Sequence, residues 1–314
     1  MRASAAAVVA RLCIGLLAAA LAAVAAPGPA HAAPSVVPDR HALLADDRAD
    51  PISTVYPSRS RIEERSFFSR TLERVMPYFI YLPAGYDSTD QRYPVAYMLH
   101  GMGGSNTEWK GYNLLGQADD LIKAGAIPPM LIVLPQGDQS YWFDHASGPR
   151  WGQYTARDVV DEIDAHWRTL ADRDHRAIGG LSMGAEGALQ LAMLYPDVFG
   201  IVGAHTPSLR DWEESAAWFP PDFYRDEAYF AAHDPTSLVE AHPEVARRLT
   251  IWLDVGAQDE TWRPVVTDFH ELLVARGIPH EFHVLPGNHN GDDYWAPHGG
   301  EYLRFYARAF QGTS

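Results

Sequence analysis

The sequence predicts an α/β fold built around a mainly parallel β-sheet. Apolar runs of strand length alternate with helical patterns along most of the chain. Several of these runs are almost continuously apolar, which is typical of strands covered by helices on both faces. The chain has 314 residues, 47% of them hydrophobic, so it can bury a full core without cross-links.

The N-terminus predicts a secretory signal peptide. Arg2 and Arg11 supply positive charge, residues 12–26 form an uncharged apolar run, and small residues end at Ala32. The run is short for a membrane span of about 20 residues, so we expect cleavage near Ala32 and no stable membrane anchor. An uncleaved anchor is the alternative. The mature protein would then be secreted, either to a periplasm or outside the cell.

The single cysteine and the net charge exclude several classes of protein. Cys13 lies in the predicted signal peptide, so the mature chain has no thiol nucleophile, disulfide framework or cysteine-rich metal site. The formal net charge of −15 disfavours nucleic acid as a partner. Residues 33–58 are polar and rich in proline, which indicates an arm or linker. Residues 59–314 then form one catalytic domain.

Eight strands and five helices are predicted in this domain. The strands are 61–69, 75–82, 95–99, 130–134, 177–181, 201–204, 249–255 and 281–285, of which the first two form an antiparallel pair. The helices are 118–124, 156–170, 185–195, 264–276 and 300–310. Ligands of such folds bind at the carboxyl ends of the strands, so the segments after them are the candidate site.

A G-x-S-x-G string from Gly180 to Gly184 follows strand 177–181 and precedes a helix rich in small residues. This strand–turn–helix setting predicts a nucleophile elbow that holds Ser182 in a sharp turn, with glycines where a Cβ would clash. The alternative is a glycine-rich turn with an incidental serine.

An activated serine needs a base that a third group orients, and in such folds the acid precedes the histidine. Asp259 lies just past strand 249–255 and is the predicted acid. Asp254, inside the strand, and Glu260, one residue later, are the rival acids.

The predicted base is His289, because it lies in the loop after the last strand, 281–285. By itself this histidine reads as a surface loop residue, and the preceding serine and acid favour the catalytic interpretation.

Acyl transfer also needs fixed donors for the oxyanion. We expect these to be the backbone N–H of Met183, directly after the nucleophile, and that of Met102 in the glycine-rich loop 99–104. His100 is expected to brace this loop.

Several motifs follow one another in register: residues 81–86, 93–95 leading into 99–104, 180–184, 256–259, and 286–289 ahead of Tyr294 and Trp295. Together they resemble the esterase D, feruloyl esterase and antigen 85 group of α/β-hydrolases, from about residue 60 to 310. The resemblance implies an α/β-hydrolase fold and a serine-dependent acyl hydrolase or acyltransferase without metal or other cofactor. It assigns the nucleophile to Ser182, the acid to Asp259, the base to His289 and the oxyanion donors to Met102 and Met183.

Residues 208–230 contain seven aromatic side chains and lie between two predicted strands, which predicts an aromatic-rich cap over the nucleophile. The predicted substrate contacts are Trp142, His205, Trp212 and Trp218, although most of these rings could instead pack the cap, and His205 could be a satisfied loop histidine.

No paired-ligand spacing accompanies Asp144 and His145, or His289 and the acids that follow it, so no catalytic metal is expected. A structural Ca²⁺ near Asp292 and Asp293 stays open.

Two features depart from the family pattern: Glu186 brings a carboxylate near the site, and residues 290–293 are longer and more acidic than usual. Asp259 stands where the antigen 85 branch typically has glutamate, which favours an esterase. We therefore expect a secreted serine carboxylic-ester hydrolase acting on feruloyl, acetyl or other short acyl or aryl esters of small molecules, polysaccharides or lipids. The alternatives are an acyltransferase of the antigen 85 (mycolyltransferase) type and a non-catalytic binding protein that keeps the fold.

Overall fold

A computed structural model describes residues 59–312 of the chain. The predicted signal peptide, residues 1–32, and the predicted arm, residues 33–58, lie outside the described residues. In the part of the chain that is described, no helix is long and apolar enough to cross a membrane. The division of the chain into signal, arm and domain therefore stays a prediction.

Eight strands form one sheet, and each predicted strand is found with its ends displaced by one residue at most. The strands are β1 (Arg61–Ser69), β2 (Arg74–Leu82), β3 (Val95–Leu99), β4 (Leu131–Pro135), β5 (Arg176–Leu181), β6 (Ile201–His205), β7 (Thr250–Gly256) and β8 (Glu281–Leu285). Their order across the sheet is β1-β2-β4-β3-β5-β6-β7-β8. The β1–β2 and β2–β4 pairs are antiparallel, and all other neighbours are parallel. The predicted α/β class with a mainly parallel sheet is confirmed.

Helices connect these strands and cover the sheet. They are α1 (Glu108–Gly111), α2 (Leu114–Lys123), α3 (Trp151–Gln153), α4 (Val160–His166), α5 (Met183–Leu194), α6 (Trp212–Trp218), α7 (Glu227–Ala231), α8 (Pro235–Ala241), α9 (Pro243–Ala246), α10 (Trp262–Ala275) and α11 (Ala296–Phe310). Two π-helical segments occur at Tyr154–Val159 and Gly291–Trp295, and two 3₁₀ turns at Tyr86–Ser88 and Arg173–His175.

The alternation of side chains along β3 shows how the sheet divides the core. Val95, Tyr97 and Leu99 join a buried cluster that includes side chains of α5 and α10. Ala96 and Met98 join a second cluster with side chains of α2 and α11. All five are buried, and burial of a large apolar side chain contributes about 1.5–3 kcal/mol. The central strands are thus covered on both faces, as their apolar sequences predict.

The helix predicted over residues 156–170 is different in the structure. It consists of α3, a π-helical segment and α4, and it ends at His166. The predicted last turn is absent because this stretch pairs with Tyr93: the Tyr93 N–H donates to the Arg168 carbonyl at 2.9 Å, and the Leu170 N–H donates to the Tyr93 carbonyl at 2.8 Å.

Four short helices, α6 to α9, form the insertion between β6 and β7. The side chains of Asp211, Asp226 and Asp234 accept hydrogen bonds from the first turns of α6, α7 and α8. None of these helices exceeds seven residues, so none has the apolar periodicity that identifies a helix in sequence. The predicted aromatic-rich insertion is found: its rings pack together, with those of Phe219 and Phe223 stacked at 5.1 Å.

Candidate active site

Ser182 lies in the turn between β5 and α5, with a positive φ (50°) at ψ −114° that is strained for a non-glycine residue. A Cβ on Gly180 would meet the Gly184 carbonyl carbon and oxygen at 2.4 Å, and one on Gly184 would meet the Leu99 carbonyl oxygen at 2.5 Å. The two glycines therefore allow three backbone segments to cross in the space of one turn. This is the geometry of the predicted nucleophile elbow.

The structure brings the three predicted catalytic side chains together. His289 Nε2 lies 2.9 Å from Ser182 Oγ, and His289 Nδ1 lies 3.0 Å from Asp259 Oδ2. One ring nitrogen can therefore accept the serine proton while the other donates to the acid.

The loops that carry the acid and the base are joined by backbone hydrogen bonds. The Ala257 N–H donates to the Leu285 carbonyl at 2.7 Å, and the Gln258 N–H donates to the Gly287 carbonyl at 2.9 Å. The Gly287 N–H donates in return to Gln258 Oε1 at 2.6 Å. Asp259 and His289 are thus held by one paired structure at the carboxyl ends of β7 and β8.

Hydrogen bonds keep Asp259 ionised although it is buried. Burial alone would raise its pKa, but the hydrogen bond from His289 and those from the N–H groups of Trp262 and Thr261 outweigh this effect and lower the pKa. The two N–H groups lie 2.9 and 3.1 Å from Asp259 Oδ1.

Neither rival acid reaches His289. Asp254 is buried on the other side of β7, where its carboxylate accepts hydrogen bonds from His205, Trp252 and Tyr294. Glu260 is exposed. Of the three candidate acids, the structure brings only Asp259 to the histidine.

The two predicted oxyanion donors are available. Among residues 59–312, neither the Met102 N–H nor the Met183 N–H has a protein acceptor. The neighbouring N–H groups of the Met102 loop are engaged, since Gly101 donates to Glu108 Oε2 at 2.7 Å and Gly103 to Gln139 Oε1 at 2.6 Å. The loop is therefore fixed while one donor stays open.

His100 braces the same loop from below. Its Nε2 accepts from the Gly137 N–H at 3.0 Å, so its Nδ1–H is free to donate to the Gly101 carbonyl at 2.9 Å. Burial lowers the pKa of this imidazole and favours the neutral form that these two bonds require.

A cavity of about 400 Å³ opens beside Met102. Its apolar lining comes from the segment after β4 and from the insertion. The main lining side chains are Met102, Tyr141, His145, Trp218, Phe219 and Phe223. Ser182 itself does not line this cavity, whose wall includes Met102 of the predicted oxyanion loop.

The family model described as "Putative esterase" matches residues 69–298. The chain belongs to this esterase family. The resemblance predicted from the sequence motifs is thereby confirmed.

Two curated proteins and one solved structure illustrate the similarity. Esterase Rv1288 of Mycobacterium tuberculosis is 29% identical over 245 residues, which cover 67% of this chain and 51% of that protein. The endo-1,4-beta-xylanase/feruloyl esterase of Xylanibacter ruminicola is 30% identical over 155 residues, which cover 46% of this chain and 21% of that protein. A ferulic acid esterase structure has a TM-score of 0.71 at 25% identity, covering 80% of this chain and 99% of its own.

The structural similarity confirms the predicted α/β-hydrolase fold for this member of the esterase family. The chain spans about half the length of the first curated relatives that it matches.

Of the four predicted substrate contacts, only Trp218 lies on the cavity wall, with half of its surface exposed. Trp142 is fully buried beneath the cavity, and its Nε1–H donates to the His100 carbonyl at 3.2 Å. Trp212 packs against Phe230 in the insertion instead. Trp142 is thus inaccessible, whereas Trp212 is partly exposed but does not line the cavity.

His205 is also misplaced by the prediction. It is completely buried at the end of β6, where Nδ1 lies 2.6 Å from Asp254 Oδ2 and Nε2 lies 3.0 Å from the Tyr306 hydroxyl. Its ring stacks on Tyr302 at 3.6 Å. His205 is therefore a core residue under α11, neither a pocket residue nor a loop histidine.

Two charged side chains near the site were not predicted to act there. Arg210 precedes α6 and lies 3.9 Å from Glu186, which follows Ser182 by one turn of α5. Burial raises the pKa of Glu186 to about 7, although Arg210 and a hydrogen bond from Ser208 oppose the shift. In the sequence, Glu186 could have been identified from its departure from the family pattern, whereas no sequence feature pointed to Arg210.

Within residues 59–312, no group of three or more His, Cys, Asp or Glu side chains is arranged to hold a metal ion. At Asp292 and Asp293, the calcium position left open above, the backbone N–H groups donate to Asn290 Oδ1 at 3.1 and 3.2 Å.

Proposed function

We propose that this protein is a serine carboxylic-ester hydrolase that acts through an acyl-enzyme. The observation that carries the proposal is the continuous hydrogen-bonded series from Ser182 through His289 to Asp259, in a chain of the esterase family. The two open N–H groups of Met102 and Met183 supply the complementary donors.

In the first step, Ser182 Oγ attacks the ester carbonyl carbon while its proton passes to His289 Nε2. The charge that develops on the carbonyl oxygen is stabilised by the N–H groups of Met102 and Met183. Asp259 accepts a hydrogen bond from His289 Nδ1–H and stabilises the imidazolium. Collapse of the tetrahedral intermediate breaks the bond to the alcohol, which leaves with the proton from His289.

The second step reverses these roles. Water gives a proton to His289 and attacks the acyl carbon, and collapse of the second intermediate returns the proton to Ser182 Oγ and releases the acid. No metal or other cofactor takes part in this scheme.

We further propose feruloyl, acetyl or other short acyl or aryl esters as substrates. The aromatic lining of the cavity suits an aryl or small acyl group. The names of two similar proteins, a xylanase/feruloyl esterase and a ferulic acid esterase, support the same class.

The first test is hydrolysis of p-nitrophenyl acetate by the wild type and by Ser182→Ala. We expect the variant to lose at least about 10³-fold in kcat, since the nucleophile is absent. Ser147→Ala is the matched control, because this serine is exposed and outside the site. Equal rates in wild type and Ser182→Ala would refute the assignment, and no hydrolysis of any ester would favour a binding protein.

Acyl transfer uses the same residues, so the products decide between the two reactions. With methyl ferulate, an acetylated sugar and an added alcohol acceptor, we expect free acid as the main product. A dominant ester of the acceptor would instead establish an acyltransferase.

Export is proposed from the N-terminal pattern. We expect the mature protein outside the cytoplasm to begin at Ala33, after cleavage at Ala32. N-terminal sequencing of the exported protein is the test, and an intact Met1 there would refute cleavage.

A further inference from the structure

The side chain of Arg210 is surrounded by aromatic rings. Its Cζ lies 4.7 Å from the ring centroid of Trp262, 5.2 Å from that of Trp218, 5.7 Å from that of Tyr141 and 5.8 Å from that of Phe219. Only 11% of the side chain is exposed. The guanidinium is thus held in place by rings on several sides, and cation–π contact stabilises its charge.

These rings connect the guanidinium to both parts of the site. Tyr141, Trp218 and Phe219 line the cavity. Trp262, which also contacts the guanidinium, has its ring centroid 5.8 Å from that of His289. Arg210 therefore contacts both the rings of the cavity wall and a ring that neighbours the proposed catalytic base.

Most of the hydrogen-bonding capacity of Arg210 is unused. Its Nη1 donates to the Ser208 carbonyl at 2.9 Å, and a side-chain hydrogen bond to Tyr141 opposes the burial that raises the pKa of that phenol. The carboxylate of Glu186 is 3.9 Å from Nη1, which is too long for a hydrogen bond, and it accepts from the Ser208 hydroxyl at 2.9 Å instead. A guanidinium has five N–H donors in a planar fork that matches a carboxylate.

The charge balance also favours an anionic ligand. Glu186 is the nearest acid to Arg210, and its burial raises its pKa to about 7. A substantial share of Glu186 is therefore neutral at neutral pH, whereas arginine stays charged. The guanidinium then keeps a positive charge that the protein does not fully compensate.

We propose that Arg210 is a specificity-determining residue that binds a carboxylate of the substrate, so that the protein prefers esters carrying one negative charge. The proposal rests on the proposed ester hydrolysis and narrows its substrate class. The carboxylate can belong to the acyl part or to the alcohol part of the ester, and the experiment separates these sources.

Two pairs of esters differ only by replacing a methyl group with a carboxylate. Monoethyl succinate and ethyl butyrate test the acyl part, and 3-acetoxypropanoate and propyl acetate test the alcohol part. The measured quantity is the ratio of kcat/KM for the charged ester to that for its neutral partner. A ratio cancels effects on the shared chemistry of Ser182 and His289.

We expect Arg210→Gln to lower this ratio about 10- to 100-fold for one pair, mainly through KM of the charged ester, because a charge-assisted contact is lost. Arg210→Lys keeps the charge without the planar fork, and its ratio should fall between wild type and Arg210→Gln. Arg225→Gln is the control: Arg225 lies in the same insertion, is largely exposed, and should leave the ratio unchanged.

If Arg210→Gln lowered kcat/KM by the same factor for the charged and the neutral esters, the proposal would be overturned and Arg210 would have a packing role. Failure of the proposed function is distinguishable, because the wild type would then hydrolyse none of the four esters. In that event, calorimetric binding of monoethyl succinate and of 3-acetoxypropanoate to the Ser182→Ala protein still tests Arg210. Weaker binding of either ester after adding Arg210→Gln supports the proposal, and unchanged binding of both overturns it.

Discussion

Two buried carboxylates near Ser182 respond to burial in opposite ways. Asp259 accepts hydrogen bonds from His289 and from two backbone N–H groups, and its pKa falls although burial acts to raise it. Glu186 accepts one hydrogen bond, from Ser208, and lies 3.9 Å from Arg210. Here burial dominates, and the pKa rises to about 7. The number of donors directed at each carboxylate decides which effect wins.

The raised pKa of Glu186 has a consequence for stability. The folded protein holds this proton more tightly than the unfolded chain, whose glutamate titrates at its usual pKa of 4.5. The stabilisation is complete below pH 4.5 and is lost as the pH rises to 7. Wild type should therefore lose stability between pH 5 and pH 8, whereas Glu186→Gln should not. We expect the unfolding free energy of Glu186→Gln minus that of wild type to be about 1–3 kcal/mol larger at pH 8 than at pH 5. Urea denaturation at both pH values measures the change.

The environment of Glu186 supports this assignment, and an exposed acid provides the control. Arg210 lowers the pKa of Glu186, and Asp234 raises it. Tyr141 and Tyr224 are the titratable hydroxyls whose own pKa values the charge of Glu186 raises. Glu271→Gln changes an exposed acid in α10 and should show no such pH dependence. The same small difference in both variants would contradict the predicted role of burial.

At the scale of residues, the sequence predicted the positions that strand ends determine. Ser182, Asp259 and His289 each follow a recognisable strand, so their meeting could be foreseen from order alone. The burial of His205 could not, because it depends on Tyr302 and Tyr306 of α11, about 100 residues later. Pocket and core are distinguished by packing between distant segments.

Among the elements, the junction of β5 and α5 tolerates little change. A Cβ on Gly184 would lie 2.5 Å from the Leu99 carbonyl oxygen and 2.7 Å from that of His100, both backbone atoms that cannot move independently. We expect Gly184→Ala to lose at least about 2 kcal/mol of stability, or to fail to fold. The melting temperature of the purified protein measures this loss.

Gly111→Ala is the matched change in an exposed part of α1, where no atom lies within 4 Å of the added Cβ. Alanine is favoured over glycine in a helix, so its melting temperature should stay equal or rise slightly. If the two variants had the same melting temperature, the close approach of Gly184 to the carbonyl oxygens of Leu99 and His100 would be refuted.

Strands were predicted more accurately than helices for a physical reason. Strands of a covered sheet are continuous apolar runs with sharp ends, whereas α6 to α9 are too short for periodicity. Of these, α6, α7 and α8 start at capping aspartates. The helix predicted to Leu170 ended early because Tyr93 offered its backbone as a partner. Helix ends therefore depended on tertiary hydrogen bonds.

The whole molecule adds a long-range field to the local charge of Arg210. The sequence carries a formal net charge of −15, which repels an anionic ester before it reaches the site. Salt shortens the range of this repulsion from about 30 Å at 0.01 M to about 8 Å at 0.15 M, and it screens the largely buried Arg210 less. We therefore expect kcat/KM of the charged ester to rise about two- to fivefold between these concentrations.

The neutral partner ester is the control for this measurement and should respond little to salt. A fall of kcat/KM for the charged ester with added salt would contradict the prediction and would indicate that local attraction governs the approach.

The paired loops after β7 and β8 limit which parts of this protein can be exchanged with those of a homologue. Ala257 and Gln258 form hydrogen bonds with Leu285 and Gly287, so the conformation of each loop depends on that of the other. Replacing the loop of Asp259 alone with that of a relative would leave the loop of His289 without its match. Asp259 and His289 are about 30 residues apart in the chain. A recombination crossover between them would join the Asp259 loop of one homologue to the His289 loop of another, and the hydrogen bonds between the two loops would no longer match.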